Sequence, residues 1–125
     1  MAKKILCIED DRFIGEMYER AFKKAGYEFV LKTDGDEGLQ EAYTTHYDFI
    51  LLDLMLPNKR GDDILSVLRS EDNPVSDSTK VMILTNFQQD TASRNELEAR
   101  ADAYMIKADI TPSKLVAAVN SMAES

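Results

Sequence analysis

The sequence predicts an α/β fold, a five-stranded parallel sheet covered by helices on both faces. Three observations predict it. Uninterrupted apolar runs such as Ile5-Leu6-Cys7-Ile8 and Phe49-Ile50-Leu51-Leu52 have the pattern of strands buried on both sides. Between them lie segments whose apolar residues recur at helical spacing. The length, 125 residues, suits one core without staples, so residues 1–125 are read as one domain.

The first strand, 5–8, leads into a helix over 12–25, where Phe13, Ile14, Met17, Tyr18, Ala21, Phe22 and Ala25 recur at helical spacing and Gly26 supplies a left-handed stop. A second strand is expected over 27–33 and a second helix over 36–43, with Leu39, Ala42 and Tyr43 on one face. The third strand, 49–52, is followed after Pro57 and Gly61 by a helix carrying Ile64, Leu65, Val67 and Leu68. Residues 70–78, with Pro74, read as a loop before the fourth strand, 81–84. A polar helix over 90–100 has few anchors, mainly Ala92, Leu97 and Ala99. The fifth strand is 103–106, and Thr111-Pro112 opens a last helix as N-cap and first-turn proline, with Leu115, Val116, Val119 and Met122 facing inward. Strict alternation of five strands and five helices, with right-handed crossovers, leads to the flavodoxin-like doubly wound (βα)5 arrangement, strand order 2-1-3-4-5.

Composition narrows the function. Lys and Arg total 15 against 23 Asp and Glu, a net charge of -8, which disfavours phosphate backbones and anionic membranes as partners. No apolar run reaches the length of a membrane span, and the run after Met1-Ala2-Lys3-Lys4 is too short for a signal-peptide core. With one cysteine and no secretion signal, the cytoplasm is the expected address. Cys7 reads as a small buried hydrophobe, and His46, the only histidine, lies in a polar turn with no expected metal or phosphotransfer role.

In an open parallel sheet the functional crevice lies beyond the carboxyl ends of the strands. Those ends carry Glu9-Asp10-Asp11, Asp53, Thr85-Asn86 and Lys107. Carboxylates gathered there repel one another, and the usual compensation is a hard divalent cation, with Mg2+ well suited. No glycine-rich cradle follows the first strand, which argues against a bound flavin or dinucleotide. A carboxylate such as Asp53 can attack phosphorus to form an acyl phosphate, Mg2+ and Lys107 can offset the charge, and Thr85 can donate to a phosphoryl oxygen. Asp11 is open between metal ligand, cap of the first helix and solvated surface. Thr85 and Tyr104 also read as ordinary strand residues, Lys107 as a surface lysine, and Asn58-Lys59-Arg60 as a small solvated basic loop.

Ile8-Glu9-Asp10-Asp11, Leu51-Leu52-Asp53-Leu54-Met55-Leu56-Pro57 with Gly61, Ile83-Leu84-Thr85 and Tyr104-Met105-Ile106-Lys107 together resemble the receiver domain of two-component response regulators, the CheY-like family, over essentially the whole chain. The resemblance implies that Asp53 is the phospho-acceptor and that a sensor histidine kinase or a histidine phosphotransfer protein is the donor. It implies that Asp10 and Asp53 hold Mg2+ directly, Glu9 through water, and that the Met55 carbonyl completes the protein ligands. Thr85 and Tyr104 match the family's switch pair, which would change the surface of the fourth helix, fifth strand and fifth helix for an unknown output partner. Such a protein is no conventional enzyme, although it assists its own phosphorylation and dephosphorylation.

Four departures stand out. Ala108 follows Lys107 where the family usually has proline after a cis bond; a trans bond is the default here and could displace Lys107 or loosen the loop after the fifth strand, weakening the switch without removing it. Asn86 stands where a small residue is usual. Phe87 and Met55 are apolar residues expected to hinder attacking water and slow phosphate loss. Arg100 replaces the glycine that commonly ends the fourth helix, so that end is expected to be distorted or mobile. Two other functions compete: a degenerate receiver that acts as a phosphorylation-independent interaction module, and a Mg2+-dependent phosphohydrolase, for which Met55 occupies the place of the usual second carboxylate. A monomer or a weak phosphorylation-dependent dimer is expected.

Overall fold

The structure, a computed structural model, describes residues 3–56, 60–70, 78–86 and 91–124. Its strands are β1 (Lys4–Ile8), β2 (Glu28–Lys32), β3 (Phe49–Asp53), β4 (Lys80–Thr85) and β5 (Ala103–Ile106). Its α-helices are α1 (Arg12–Lys24), α2 (Gly35–Thr44), α3 (Gly61–Leu68), α4 (Thr91–Arg100) and α5 (Pro112–Glu124). The sheet is parallel in the expected order β2-β1-β3-β4-β5.

Alternation along each strand divides the core between the two faces. Leu6 and Ile8, Ile50 and Leu52, and Val81 and Ile83 pack with residues of α2, α3 and α4. Ile5 and Cys7, Phe49 and Leu51, and Met82 and Leu84 pack with Tyr18, Phe22, Leu115 and Val119 of α1 and α5. Both faces of the central strands are therefore dry, which is why their sequences are apolar without interruption.

Helix ends follow local chemistry. Asp11 accepts from the Ile14 amide (3.1 Å) and Asp34 from the Glu37 amide (3.1 Å), which settles Asp11 as the α1 cap. Thr111 accepts from the Lys114 amide (3.2 Å). Gly26 has φ +96°, as its expected stop role requires. Phe13, expected on the buried face of α1, is instead 68% exposed. It lies about two and a half turns from Phe22 and so on the opposite side of the helix. Ala25 is also exposed, as the helix's C-cap, while Tyr18 and Phe22 are buried. The segment after β5 is a 3-10 turn, Lys107–Asp109, closed by Ile110 N to Lys107 O at 3.3 Å. Most of the expected 70–78 loop, together with Pro57, Asn58, Lys59, Phe87 and Asp90, lies outside the described residues.

Arg100 ends α4 within a polar cluster. Its carbonyl accepts from Arg69 Nε (2.9 Å), and its own guanidinium donates to Ser66 Oγ (2.6 Å). Arg69 also pairs with Asp102 (2.8 Å), whose carboxylate accepts from the Val81 amide. Side-chain hydrogen bonds thus tie this helix end to α3 and the sheet.

Gly61 fixes the approach of α3 to β3. Its amide donates to Leu54 O (3.0 Å), and a Cβ there would stand 2.2 Å from Asp53 O and 2.7 Å from Leu54 Cα. Both obstacles are backbone, so relief requires moving the β3 end that carries Asp53. Gly61→Ala is expected to destabilise the fold by about 1–3 kcal/mol in urea unfolding; a loss below about 0.5 kcal/mol would show that the turn relaxes freely.

Candidate functional site

The strand register assembles the site. Ile8 pairs with Leu52, so the next residues outward, Glu9 and Asp53, stand side by side at the rim. Thr85 pairs with Ile106, so Lys107 emerges one residue beyond, on the far side of β4. Residues separated by up to 98 positions thereby reach one hollow, as the sequence requires.

Glu9 and Asp53 are almost wholly buried, as is the Lys107 side chain, which is 6% exposed. Lys107 donates to Glu9 Oε1 and lies 3.2 Å from Asp53 Oδ2. Asp10 is exposed at the mouth. One carboxylate oxygen from each of Glu9, Asp10 and Asp53 lies within 4.8 Å of the others, a spacing that a small divalent cation could bridge. The Asp11 amide donates to Glu9 Oε2 and the Met55 amide to Asp53 Oδ1, both at 3.1 Å, which fixes the two buried acids against their own loops. Asp11 itself is absorbed by its helix cap.

The other residues singled out in the sequence lie at or near this rim. Thr85 is fully buried at the end of β4, and Asn86 after it is exposed. Tyr104 is half-buried on β5. The Met55 side chain is 45% exposed, and Phe87, its expected companion, lies outside the described residues. The Lys107–Ala108 peptide is trans, since no cis bond occurs among the described residues. Lys107 nevertheless stays beside Asp53, so the expected displacement does not occur; the 3-10 turn carries the chain away instead. Sequence reasoning missed two arginines. Arg94 of α4 lies over the Tyr104 ring, 4.9 Å from its centroid, and Arg69 braces Arg100 and Asp102. Neither has a motif that would have signalled it.

The electrostatics are those of opposed buried charges. Burial pushes Glu9 up to about 7 against the pull of the Lys107 hydrogen bond, with Asp53 adding to the rise. Burial alone would lower the Lys107 ammonium, but the hydrogen bond and charge of Glu9, joined by Asp53, hold it above its ordinary value. The Cys7 thiol, wholly buried beneath, is pushed up by burial and is inert.

The doubly wound sheet thus brings an acidic hollow, a strand-end hydroxyl and a buried lysine together at its carboxyl rim. The family model of the response regulator receiver domain matches residues 5–120, and the chain belongs to that family. It is 34% identical over 104 residues to the transcriptional regulatory protein DltR of Streptococcus agalactiae, covering 83% of this chain and 45% of that protein. It is equally similar to the transcriptional regulatory protein CusR of Escherichia coli, covering 83% and 44%. The chain thus spans less than half the length of these curated relatives. Among solved structures, a CheY-like receiver domain protein of Methanospirillum hungatei superposes with TM-score 0.83 at 26% identity, covering 98% of this chain and 94% of that one. The BeF3-activated receiver domain of DrrB superposes with TM-score 0.82 at 27% identity over all of both chains. Receiver domains are signalling domains rather than classic enzymes, are phosphorylated by histidine kinases and generally bind Mg2+ at an acidic pocket. No helix among the described residues is long and apolar enough to cross a membrane.

The raised Glu9 value has a sign that can be checked. The folded chain holds this proton more tightly than the unfolded one, so between about pH 4.5 and 7 it binds more protons. Stability of the metal-free protein should therefore fall as pH rises through that window. Glu9→Gln should flatten this slope in urea midpoints; an unchanged slope would assign it elsewhere. Lys107→Met leaves two buried carboxylates without their cation and should cost about 3 kcal/mol at neutral pH, less below pH 5.

Proposed function

We propose that the chain is a phospho-accepting receiver in which Asp53 takes the phosphoryl group from the phosphohistidine of a sensor histidine kinase or histidine phosphotransfer protein. The observation that carries this reading is the buried triangle of Lys107, Glu9 and Asp53 beneath an exposed Asp10. An Asp53 oxygen attacks phosphorus, the phosphorus–nitrogen bond breaks, and the donor imidazole leaves with the bonding pair. The reaction exchanges one phosphoryl linkage for another and needs no external oxidant or base.

The residues present suit Mg2+, being hard oxygen donors of which two are buried; Asp10 and Asp53 would hold it directly, Glu9 would act through water, and the Met55 carbonyl would complete the set. The bound cation would supply positive charge against the phosphoryl oxygens. Lys107 lies 3.2 Å from Asp53 Oδ2 and would pair with a phosphoryl oxygen once the acid becomes an acyl phosphate. Thr85, one residue beyond the β3–β4 pairing of Asp53 with Leu84, would donate its hydroxyl to another. Tyr104, on the neighbouring strand, would follow that hydroxyl and alter the α4–β5–α5 face offered to an output partner. The same face would support a monomer or a weak, phosphorylation-dependent dimer, since Ala92 and Ala99 are the only apolar residues exposed among the described side chains of α4.

Two observations weigh against a degenerate receiver. The acidic set is complete, and Lys107 keeps its place despite Ala108. The reading is tested by incubating the chain with Mg2+ and acetyl phosphate and weighing it intact. One phosphoryl adduct per chain, lost slowly and absent in Asp53→Asn, is expected. No adduct would return the chain to a passive docking role, and steady turnover of a small phosphate ester would mark a hydrolase.

A further inference from the structure

Arg94 sits outside the acidic hollow, yet it touches the residue through which that hollow would be read. Its guanidinium lies 4.9 Å from the centroid of the Tyr104 ring, and its Nε donates to Glu98 Oε1 at 2.9 Å, one turn further along α4. Arg94 and Tyr104 together form part of the wall of a cavity of about 430 Å3 between α4, β5 and the start of α5, with Met105, Ile106, Ile110 and Lys114. The i,i+4 ion pair directs the guanidinium, and the flat cation then covers one face of the ring.

We infer that Arg94 is a positioning residue that holds the Tyr104 ring at the cavity wall and so sets how readily the ring moves toward Thr85. The inference deepens the receiver reading and rests on it for its regulatory meaning. The geometry makes the link. α4 is otherwise sparsely anchored, with Leu97 alone fully buried among its described side chains, while its C-terminal end is tied to α3 through Arg100 and Ser66. Arg94 is the described α4 side chain that grips the fifth strand's aromatic ring. Movement of the ring away from the cavity must break this contact, and movement of this part of α4 must drag or release the ring. The cation on the ring face is worth about a two- to fivefold bias at a partly exposed site such as this one. Glu98 matters because a guanidinium freed from it would sample other rotamers.

The test uses the full chain labelled with 3-fluorotyrosine and observed by fluorine NMR, with the Tyr104 resonance assigned by its disappearance in Tyr104→Phe. With no phosphodonor present, Arg94→Ala and Arg94→Met should both move that resonance, and Arg94→Lys, which keeps a cation over the ring, should leave it near its original position. Loss of bulk alone would move it in Arg94→Ala but not in Arg94→Met, so that pattern overturns the inference, as does an unmoved resonance in both. Titration with beryllofluoride and Mg2+ then reads the coupling. The midpoint should fall about two- to fivefold in Arg94→Ala relative to the starting protein; equal midpoints would overturn the regulatory role. A resonance that obeys the substitution series but ignores beryllofluoride supports Arg94 as the ring's holder and places the failure in the phosphorylation reading.

Discussion

The structure depends on one buried ammonium. Lys107 carries the only described positive charge among the side chains that meet at the rim of β1, β3 and β5, and two nearly inaccessible carboxylates converge on it. Removing three charges from water is expensive, and the attraction among them repays the cost only when distances are short and the remaining lone pairs are used. The Asp11 and Met55 amides use them. The net charge of this triangle is still negative, with Asp10 adding more at the mouth, so the hollow is poised for a cation. Burial in this hollow raises Glu9 against the pull of Lys107, and the neighbouring Asp53 adds to the rise.

The rest of the fold can be understood as support for those few atoms. Both faces of β1, β3 and β4 are sealed by apolar side chains, so the strand ends cannot shift without disturbing a close-packed core. Gly61 lets the α3 start lie directly against the Asp53 backbone. At the opposite, amino-terminal end of the strands from the hollow, Arg69, Arg100 and Asp102 fasten α3, α4 and the start of β4 with polar contacts instead of apolar ones. The α4 helix is therefore held differently from its neighbours: α1 and α5 bury aromatic and branched residues, whereas α4 is secured by Leu97, its C-terminal arginine and the stacking of Arg94. A helix with so little buried apolar surface is the natural place for a change at the rim to be expressed.

Much of this was legible from the residues. The apolar runs located the strands because a parallel strand buried on both faces admits little else, and β5 matches its expected bounds residue for residue. Strand-end position alone pointed to Glu9-Asp10-Asp11, Asp53, Thr85-Asn86 and Lys107. Phe13 was misjudged because helical spacing marks a set of apolar residues without saying which arc of the helix they occupy; Tyr18 and Phe22 define the buried arc, and Phe13 falls opposite. The 3-10 turn after Lys107 was not foreseen, because three residues of such a turn carry no periodic signature.

What the chain determined by itself was the alternation of elements, the parallel architecture and the residue types at each strand end, since these follow from local periodicity and from where apolar runs stop. What only the tertiary structure decided was which of those ends touch, and how. The pairing register sets Glu9 beside Asp53, and the turn beyond β5 keeps Lys107 against both despite the trans bond to Ala108. The stacking of Arg94 on Tyr104 belongs to the same category. Contacts between residues far apart in sequence depend on how helices and strands are packed, and packing is a property of the whole chain that no local pattern encodes.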